Sequence, residues 1–181
     1  PIAPRPVLRS LVAAFAVAVL LTGCGGDSAN QTAVQQQDGP VLAGYERGPE
    51  PKVGTITLPA ANRDTDAFAF VADPGELMMV TFGYTSCPDI CPTTLADMRI
   101  AFNQLGDRSD DVSVAWVSID PARDTAEVIS SYVEAFVADG VALRTDDAEA
   151  LFIAADAFAV TYIVQENDAG DLEVAHTPNV F

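Results

Sequence analysis

Cys87 and Cys91 form the part of the sequence with the clearest chemical potential. They lie in a short segment that follows an apolar run and precedes a helical pattern, TSCPDICP (residues 85–92). Residues four apart share one face of a helix, which predicts that the two sulfurs lie close together. Amides at a helix N-terminus favour the thiolate, the form that attacks disulfides and binds metals. The pair is therefore predicted either to cycle a disulfide or to hold a metal ion.

An inert structural disulfide is the alternative interpretation of this pair. A bridge between Cys87 and Cys91 closes a very short loop, so it removes little chain entropy and stabilises the fold weakly. We therefore favour a reactive pair.

His176 is the single histidine of the chain and a candidate third ligand. It follows the last predicted strand, and in a thioredoxin-like sheet the loop entering the next strand lies beside the redox helix. Two thiolates and one imidazole form a soft set of low coordination number that suits Cu(I). Zinc would need a fourth ligand. Asp89 could supply it, but its position between the cysteines favours capping of the helix.

Apolar runs and turn signals predict the elements that must position these side chains. Strands are predicted at residues 53–58, 67–71, 77–83, 112–119, 160–165 and 172–175, and helices at 93–105, 124–137 and from 146 or 147 to about 158. The first strand is predicted to belong to an N-terminal hairpin. The order β-α-β-α-β-α-β-β implies an α/β sheet with helices on both faces.

The first 51 residues carry targeting signals and no core. Arg5 and Arg9 precede an uncharged apolar run, which ends in the sequence LTGC (residues 21–24). This pattern resembles a bacterial lipobox and predicts cleavage before Cys24 and lipidation of its thiol, with an uncleaved anchor as the alternative. We expect a signal peptide at 1–23, a flexible tether at 24–51 and a globular domain at 52–181. Such a protein would be lipid-anchored at the extracytoplasmic face of the bacterial cell membrane.

The charge of the chain excludes one class of partner. Nine basic and 26 acidic residues give a formal net charge of -17. Nucleic-acid binding requires clustered Lys and Arg, so it is not expected. Attraction to anionic lipid is also disfavoured, so membrane attachment must be covalent or hydrophobic. With 49% hydrophobic residues, the chain can bury a sizeable core.

Two segments and His176 together resemble the Sco/SenC family of copper-delivery proteins. The segments are FGYTSCPDICP (residues 82–92) and VSIDPARDT (residues 117–125), and the resemblance covers roughly residues 50 to 181. It implies a thioredoxin-like fold with an N-terminal β-hairpin extension. It also implies that Cys87, Cys91 and His176 are copper ligands, and that a further strand and helix follow the histidine.

The resemblance implies delivery of copper to the binuclear CuA centre of cytochrome c oxidase subunit II. The alternative is a thiol–disulfide oxidoreductase that reduces the partner's cysteines, with Cys87 attacking and Cys91 resolving. Both can hold, because the same sulfurs can act in sequence. A peroxidase of the peroxiredoxin type is a more distant alternative.

Three charged residues in the second segment need a separate interpretation. The pattern from Asp124 to Glu127 resembles a capping box, so Asp124 is expected to begin a helix. Asp120 and Arg123 fit either a role beside the cysteines or in a docking surface, or helix capping with a local ion pair.

Overall fold

The computed structural model describes Gly44, Tyr45, Gly48 and residues 50–181. The chain divides after Gly44, and the unit Tyr45–Phe181 contains all of the described helices and strands. The predicted signal peptide, Cys24 and nearly all of the tether lie outside the described residues. Within the described part, no helix has both the length and the apolar character that a membrane crossing requires.

The α/β order predicted from the sequence is confirmed. The elements are β1 (Thr57–Ala60), β2 (Thr65–Ala69), β3 (Leu77–Gly83), α1 (Ile90–Leu105), β4 (Val112–Ser118), α2 (Ala126–Phe136), β5 (Val141–Leu143), α3 (Ala148–Ala157), β6 (Tyr162–Glu166) and β7 (Leu172–His176). A 3-10 turn, Gly106–Asp111, joins α1 to β4.

Five strands form one sheet in the order β2-β1-β5-β4-β3. Strands β3, β4 and β5 are parallel, whereas β1 is antiparallel to both β5 and β2. The predicted N-terminal hairpin is thus β1–β2, and it extends the sheet beyond β5. Gly83 at the end of β3 pairs with Ser118 at the end of β4. The segments 82–92 and 117–125 therefore leave the sheet side by side, at the carboxyl ends of the parallel strands.

Helices cover both faces of this sheet, as predicted. On one face α1 and α2 pack against β4 and β5, burying Leu95, Met98, Val114, Trp116, Ile129, Val133 and Ala142. On the other face α3 packs against the alternate residues of the same strands, burying Ala115, Val117, Leu143, Leu151, Ala154 and Phe158. Burial on both faces explains why β3 and β4 are continuous apolar runs.

Several predicted boundaries were wrong. Strand β1 begins at Thr57 and not at residue 53, because its pairing with β2 starts at the Thr57–Ala69 pair. Helix α1 begins at Ile90 and not at residue 93, so Cys91 and Pro92 lie in its first turn. Proline is tolerated there because the first N–H groups of a helix have no intrahelical partner.

The predicted capping box was also wrong. Thr125 is the N-cap of α2, and its side chain accepts a hydrogen bond from the Val128 N–H. Asp124 points elsewhere, into the interior, and is fully buried.

Strands β6 and β7 form the predicted hairpin as a separate two-stranded sheet. Their register pairs Tyr162 with His176 at its open end. Beyond this point the chain runs along β3, where Val80 and Phe181 exchange two backbone hydrogen bonds of 2.9 Å. His176 is therefore anchored on one side by the hairpin and on the other by the edge of the main sheet.

Candidate thiol and metal site

Cys87 and Cys91 are free thiols, exposed by only 8% and 4%. Cys87 lies in the loop after β3, and Cys91 lies in the first turn of α1. The Cys91 N–H donates to the Cys87 sulfur at 3.4 Å. Asp89 occupies the N-cap position, but its side chain makes no capping bond, so its expected capping role was wrong. The Cys87 sulfur accepts a helix N–H instead, and this contact places the two cysteines together.

The two thiols differ in acidity. Burial raises the pKa of the Cys87 thiol, but the backbone N–H groups of Asp89 and Cys91 stabilise its thiolate, and the net shift of the pKa is downward. Burial raises the pKa of the Cys91 thiol to about 12, and negative charge on Cys87 and Asp124 adds to this effect. Cys87 is therefore the more readily ionised of the two thiols, and Cys91 stays protonated near neutral pH.

This difference predicts unequal alkylation of the reduced protein by iodoacetamide. Only the thiolate reacts, so Cys87 should reach half its maximal rate at a pH below that of a free thiol, about 8.5. Cys91 should stay almost unmodified at pH 8, because its pKa is about 12. Peptide mass spectrometry at a series of pH values resolves the two sites. Equal labelling, or faster labelling of Cys91, would contradict the assignment.

His176 faces the thiol pair. Its Nε2 lies 3.7 Å from the Cys91 sulfur, and its Nδ1 lies 3.0 Å from the backbone oxygen of Thr177. A carbonyl oxygen can only accept, so Nδ1 donates this hydrogen bond. The other ring nitrogen, Nε2, is thereby directed toward Cys91.

The donor atoms partly fit a shared ion. With bonds of about 2.3 Å to sulfur and about 2.0 Å to nitrogen, as for zinc, and an angle of about 120°, two donors of one ion stand about 3.7 Å apart. Cys91 and His176 already have this separation. Within the described residues, however, no three Cys, His, Asp or Glu side chains form a complete metal cage. The third donor, the Cys87 sulfur, contacts both the backbone N–H and the side chain of Cys91.

Gly83 makes room for the site. A Cβ atom at this position would lie 2.8 Å from the Cys91 sulfur and 3.2 Å from the ring of Trp116. Real Cβ atoms essentially never approach a heavy atom as closely as 2.8 Å. The last residue of β3 therefore has to be glycine if Cys91 and Trp116 are to keep their places.

Asp124 holds the cysteine loop, a role that the sequence did not indicate. Its carboxylate accepts from the Thr85 N–H at 3.2 Å, from the Thr85 hydroxyl at 2.5 Å and from the Ser118 hydroxyl at 2.7 Å. The Arg144 guanidinium donates to the backbone oxygens of Asp124 and Pro121. The second sequence segment thereby fixes the start of the loop that carries Cys87.

Asp120 and Arg123 form an ion pair that lies close to the candidate site. The Arg123 Nε donates to the buried Asp120 carboxylate, which is a local ion pair. The same guanidinium carbon lies 5.7 Å from the ring centre of Tyr84. Tyr84 contacts His176 in an edge-to-face arrangement, with ring centres 6.0 Å apart. The pair therefore also reaches the site.

The fold and the buried thiol pair define an α/β protein of the thioredoxin-like class. The sequence profile of the SCO1/SenC family matches residues 62–181, so the chain belongs to this family. The match includes Cys87, Cys91 and His176, and most of the five-stranded sheet.

Curated proteins with copper-binding or SCO names are similar to this chain in sequence. A putative copper-binding protein of Stutzerimonas stutzeri is 28% identical over 97% of this chain and 83% of its own length. The mitochondrial SCO1 homolog of Homo sapiens is 35% identical over 57% of this chain and 35% of its own. Except for the S. stutzeri protein, the chain spans about half or less of the curated relatives it matches.

Two solved structures are similar in both sequence and fold. ScoI of Bradyrhizobium japonicum with copper bound is 30% identical, with a TM-score of 0.52, and the match covers 57% of this chain and 65% of that one. Apo Sco1 of Thermus thermophilus is 36% identical, with a TM-score of 0.53, and the match covers 59% and 62% of the two chains.

Proposed function

We propose that this protein binds one copper ion between Cys87, Cys91 and His176. The observation that carries the proposal is the 3.7 Å approach of the His176 Nε2 to the Cys91 sulfur, beside a second buried thiol. Two thiolates and a neutral imidazole are soft donors, which favour Cu(I). A similar protein, ScoI of Bradyrhizobium japonicum, has been solved with copper bound.

The ion is cargo in this proposal, and the recipient is the CuA centre of cytochrome c oxidase subunit II. Membership of the SCO1/SenC family supports this role. A set of three donors leaves a copper position open, through which a donor of the partner can take over the ion by ligand exchange. The LTGC pattern ending at Cys24 supports lipid anchoring at the extracytoplasmic face, where the tether would let the domain search for its partner.

Copper titration tests the proposed ligand set. In a Cys24→Ser background, the reduced full chain keeps only Cys87 and Cys91 as thiols and should bind one Cu(I) per chain. Replacing His176 by alanine should weaken binding by more than about 100-fold, because loss of a ligand exceeds the effect of losing a residue that supports one. Replacing either cysteine by serine should weaken it further, because one thiolate is lost. Competition with a coloured Cu(I) chelator measures each affinity. Undiminished affinity of the His176→Ala variant would remove His176 from the set.

A second candidate function is thiol–disulfide exchange, and the unequal acidity of the two thiols favours it. The Cys87 thiolate attacks a partner disulfide, forms a mixed disulfide and releases one partner thiol. Cys91 then loses its proton and attacks the Cys87 sulfur, which forms the Cys87–Cys91 disulfide and releases the second partner thiol. Both steps conserve the two electrons that pass to the partner. The pH profile of iodoacetamide alkylation tests the first requirement of this route, a reactive Cys87.

A further inference from the structure

We infer that Arg123 is a positioning residue for His176 and acts through the ring of Tyr84. The guanidinium holds the tyrosine ring, and the ring holds the imidazole at the angle from which Nε2 reaches Cys91. The inference rests on the proposed copper function, because it concerns how the third ligand is oriented. It gives the charged residues of the second sequence segment a defined effect on the site.

The first contact fixes Arg123. Its Nε donates to Asp120, whose side chain is only 2% exposed and whose own N–H donates to the Ser118 hydroxyl at the end of β4. The guanidinium carbon lies 5.7 Å from the Tyr84 ring centre. This is within the range of about 6 Å in which a cation is attracted to an aromatic face. The Arg123 guanidinium is thus held by Asp120, which is bonded to the end of β4, and it contacts the ring of Tyr84.

The second contact fixes the imidazole. The rings of Tyr84 and His176 are nearly perpendicular, at 83°, with centres 6.0 Å apart. Aromatic pairs prefer this edge-to-face arrangement, and it restricts rotation of the smaller ring. The hydrogen bond from Nδ1 to Thr177 is a second, independent restraint on the same ring. Together they leave Nε2 directed at the Cys91 sulfur.

The position of the hairpin explains why such a restraint is needed. Strands β6 and β7 form a sheet of their own, apart from the five-stranded sheet that carries the cysteines. A groove of about 440 Å³ borders the hairpin and the cysteine loop and is lined by Tyr84, Arg123, Ile163, Leu172 and Val174, among others. The contacts of Arg123 with Tyr84 and of Tyr84 with His176 therefore connect the end of β4 to the hairpin through side chains.

Nuclear magnetic resonance of the metal-free full chain tests the inference, because the only histidine gives one set of imidazole signals. Tyr84→Leu removes the ring and should shift these signals, and Arg123→Ala should shift them in the same direction. Tyr84→Phe keeps the ring and should restore the wild-type positions. In the Cu(I)-loaded protein, the first two variants should show a weaker nitrogen contribution to the X-ray absorption spectrum of copper than the wild type. Their copper affinity should fall about tenfold.

Arg99→Ala is the matched control, because its guanidinium carbon lies 5.9 Å from the ring centre of Phe136, away from His176. It should leave the imidazole signals and the copper spectrum unchanged. Imidazole signals that stay in place in a folded Arg123→Ala variant would overturn the inference, whether or not Tyr84→Leu folds. If the signals move as expected but the wild-type chain binds no copper, the proposed function fails and the positioning role stands.

Discussion

Gly83→Ala is expected to weaken Cu(I) binding by about 100-fold and to destabilise the fold by about 1–3 kcal/mol. The added Cβ would lie 2.8 Å from the Cys91 sulfur and 3.2 Å from two ring atoms of Trp116. Trp116 of β4 is fully buried against Tyr132 of α2, so the Cys91 sulfur is the group that must move, away from His176. Urea unfolding and chelator competition measure the two effects.

Gly54→Ala is the control for this substitution. Its Cβ would meet Val71 at 3.6 Å, an ordinary contact, and Gly54 is remote from the cysteines in the sequence. We expect wild-type copper affinity and little change in the free energy of unfolding. Wild-type copper affinity in the Gly83→Ala variant would show that the sulfur tolerates displacement, and it would contradict the proposed geometry of the site.

Asp124→Ala is expected to lower the free energy of unfolding by about 3 kcal/mol. The Thr85 N–H and the Thr85 and Ser118 hydroxyls lose a fully buried acceptor, and the buried groups among them are left unsatisfied. The loop that carries Cys87 also loses its connection to β4, so copper affinity should fall together with stability. Asp124→Asn keeps one acceptor oxygen and should have an intermediate effect.

Urea unfolding of these variants is compared with Asp97→Ala, which removes a carboxylate on α1 that makes none of these buried hydrogen bonds. The Asp97→Ala substitution should change the free energy of unfolding little, because alanine is a better helix former than aspartate. A loss of stability in Asp124→Ala no larger than in the control would show that the buried hydrogen bonds do not hold the loop.

Local patterns in the sequence predicted most of the fold. The apolar runs of β3 and β4 indicated strands buried on both faces, and Asp147 was named as a possible cap of α3, where its side chain accepts from Glu149 and Ala150. Strand β5 was implied by the element order, but its three residues are too few for a periodic pattern to place them. The strand order could not be predicted from local patterns, because β1 pairs with β5, and the paired residues Ala60 and Leu143 are far apart in the sequence.

The sequence pointed to the three residues of the candidate site, Cys87, Cys91 and His176, but it did not indicate the residues that support them. The spacing of Cys87 and Cys91 and the uniqueness of His176 are visible in the sequence. The role of Asp124 is not, because its partner Thr85 lies 39 positions away and the neighbouring residues imitate a capping box. The pattern around Asp124 indicated a local capping role. In the structure its side chain is buried and accepts a hydrogen bond from the distant Thr85 instead.

The X-ray absorption spectrum of the Cu(I)-loaded, reduced full chain in a Cys24→Ser background tests the central claim most directly. Two sulfur neighbours and one nitrogen neighbour per copper are expected from Cys87, Cys91 and His176. The nitrogen contribution should vanish in the His176→Ala variant. A copper ion surrounded by sulfur alone in the wild-type chain would mean that the imidazole takes no part in holding the ion.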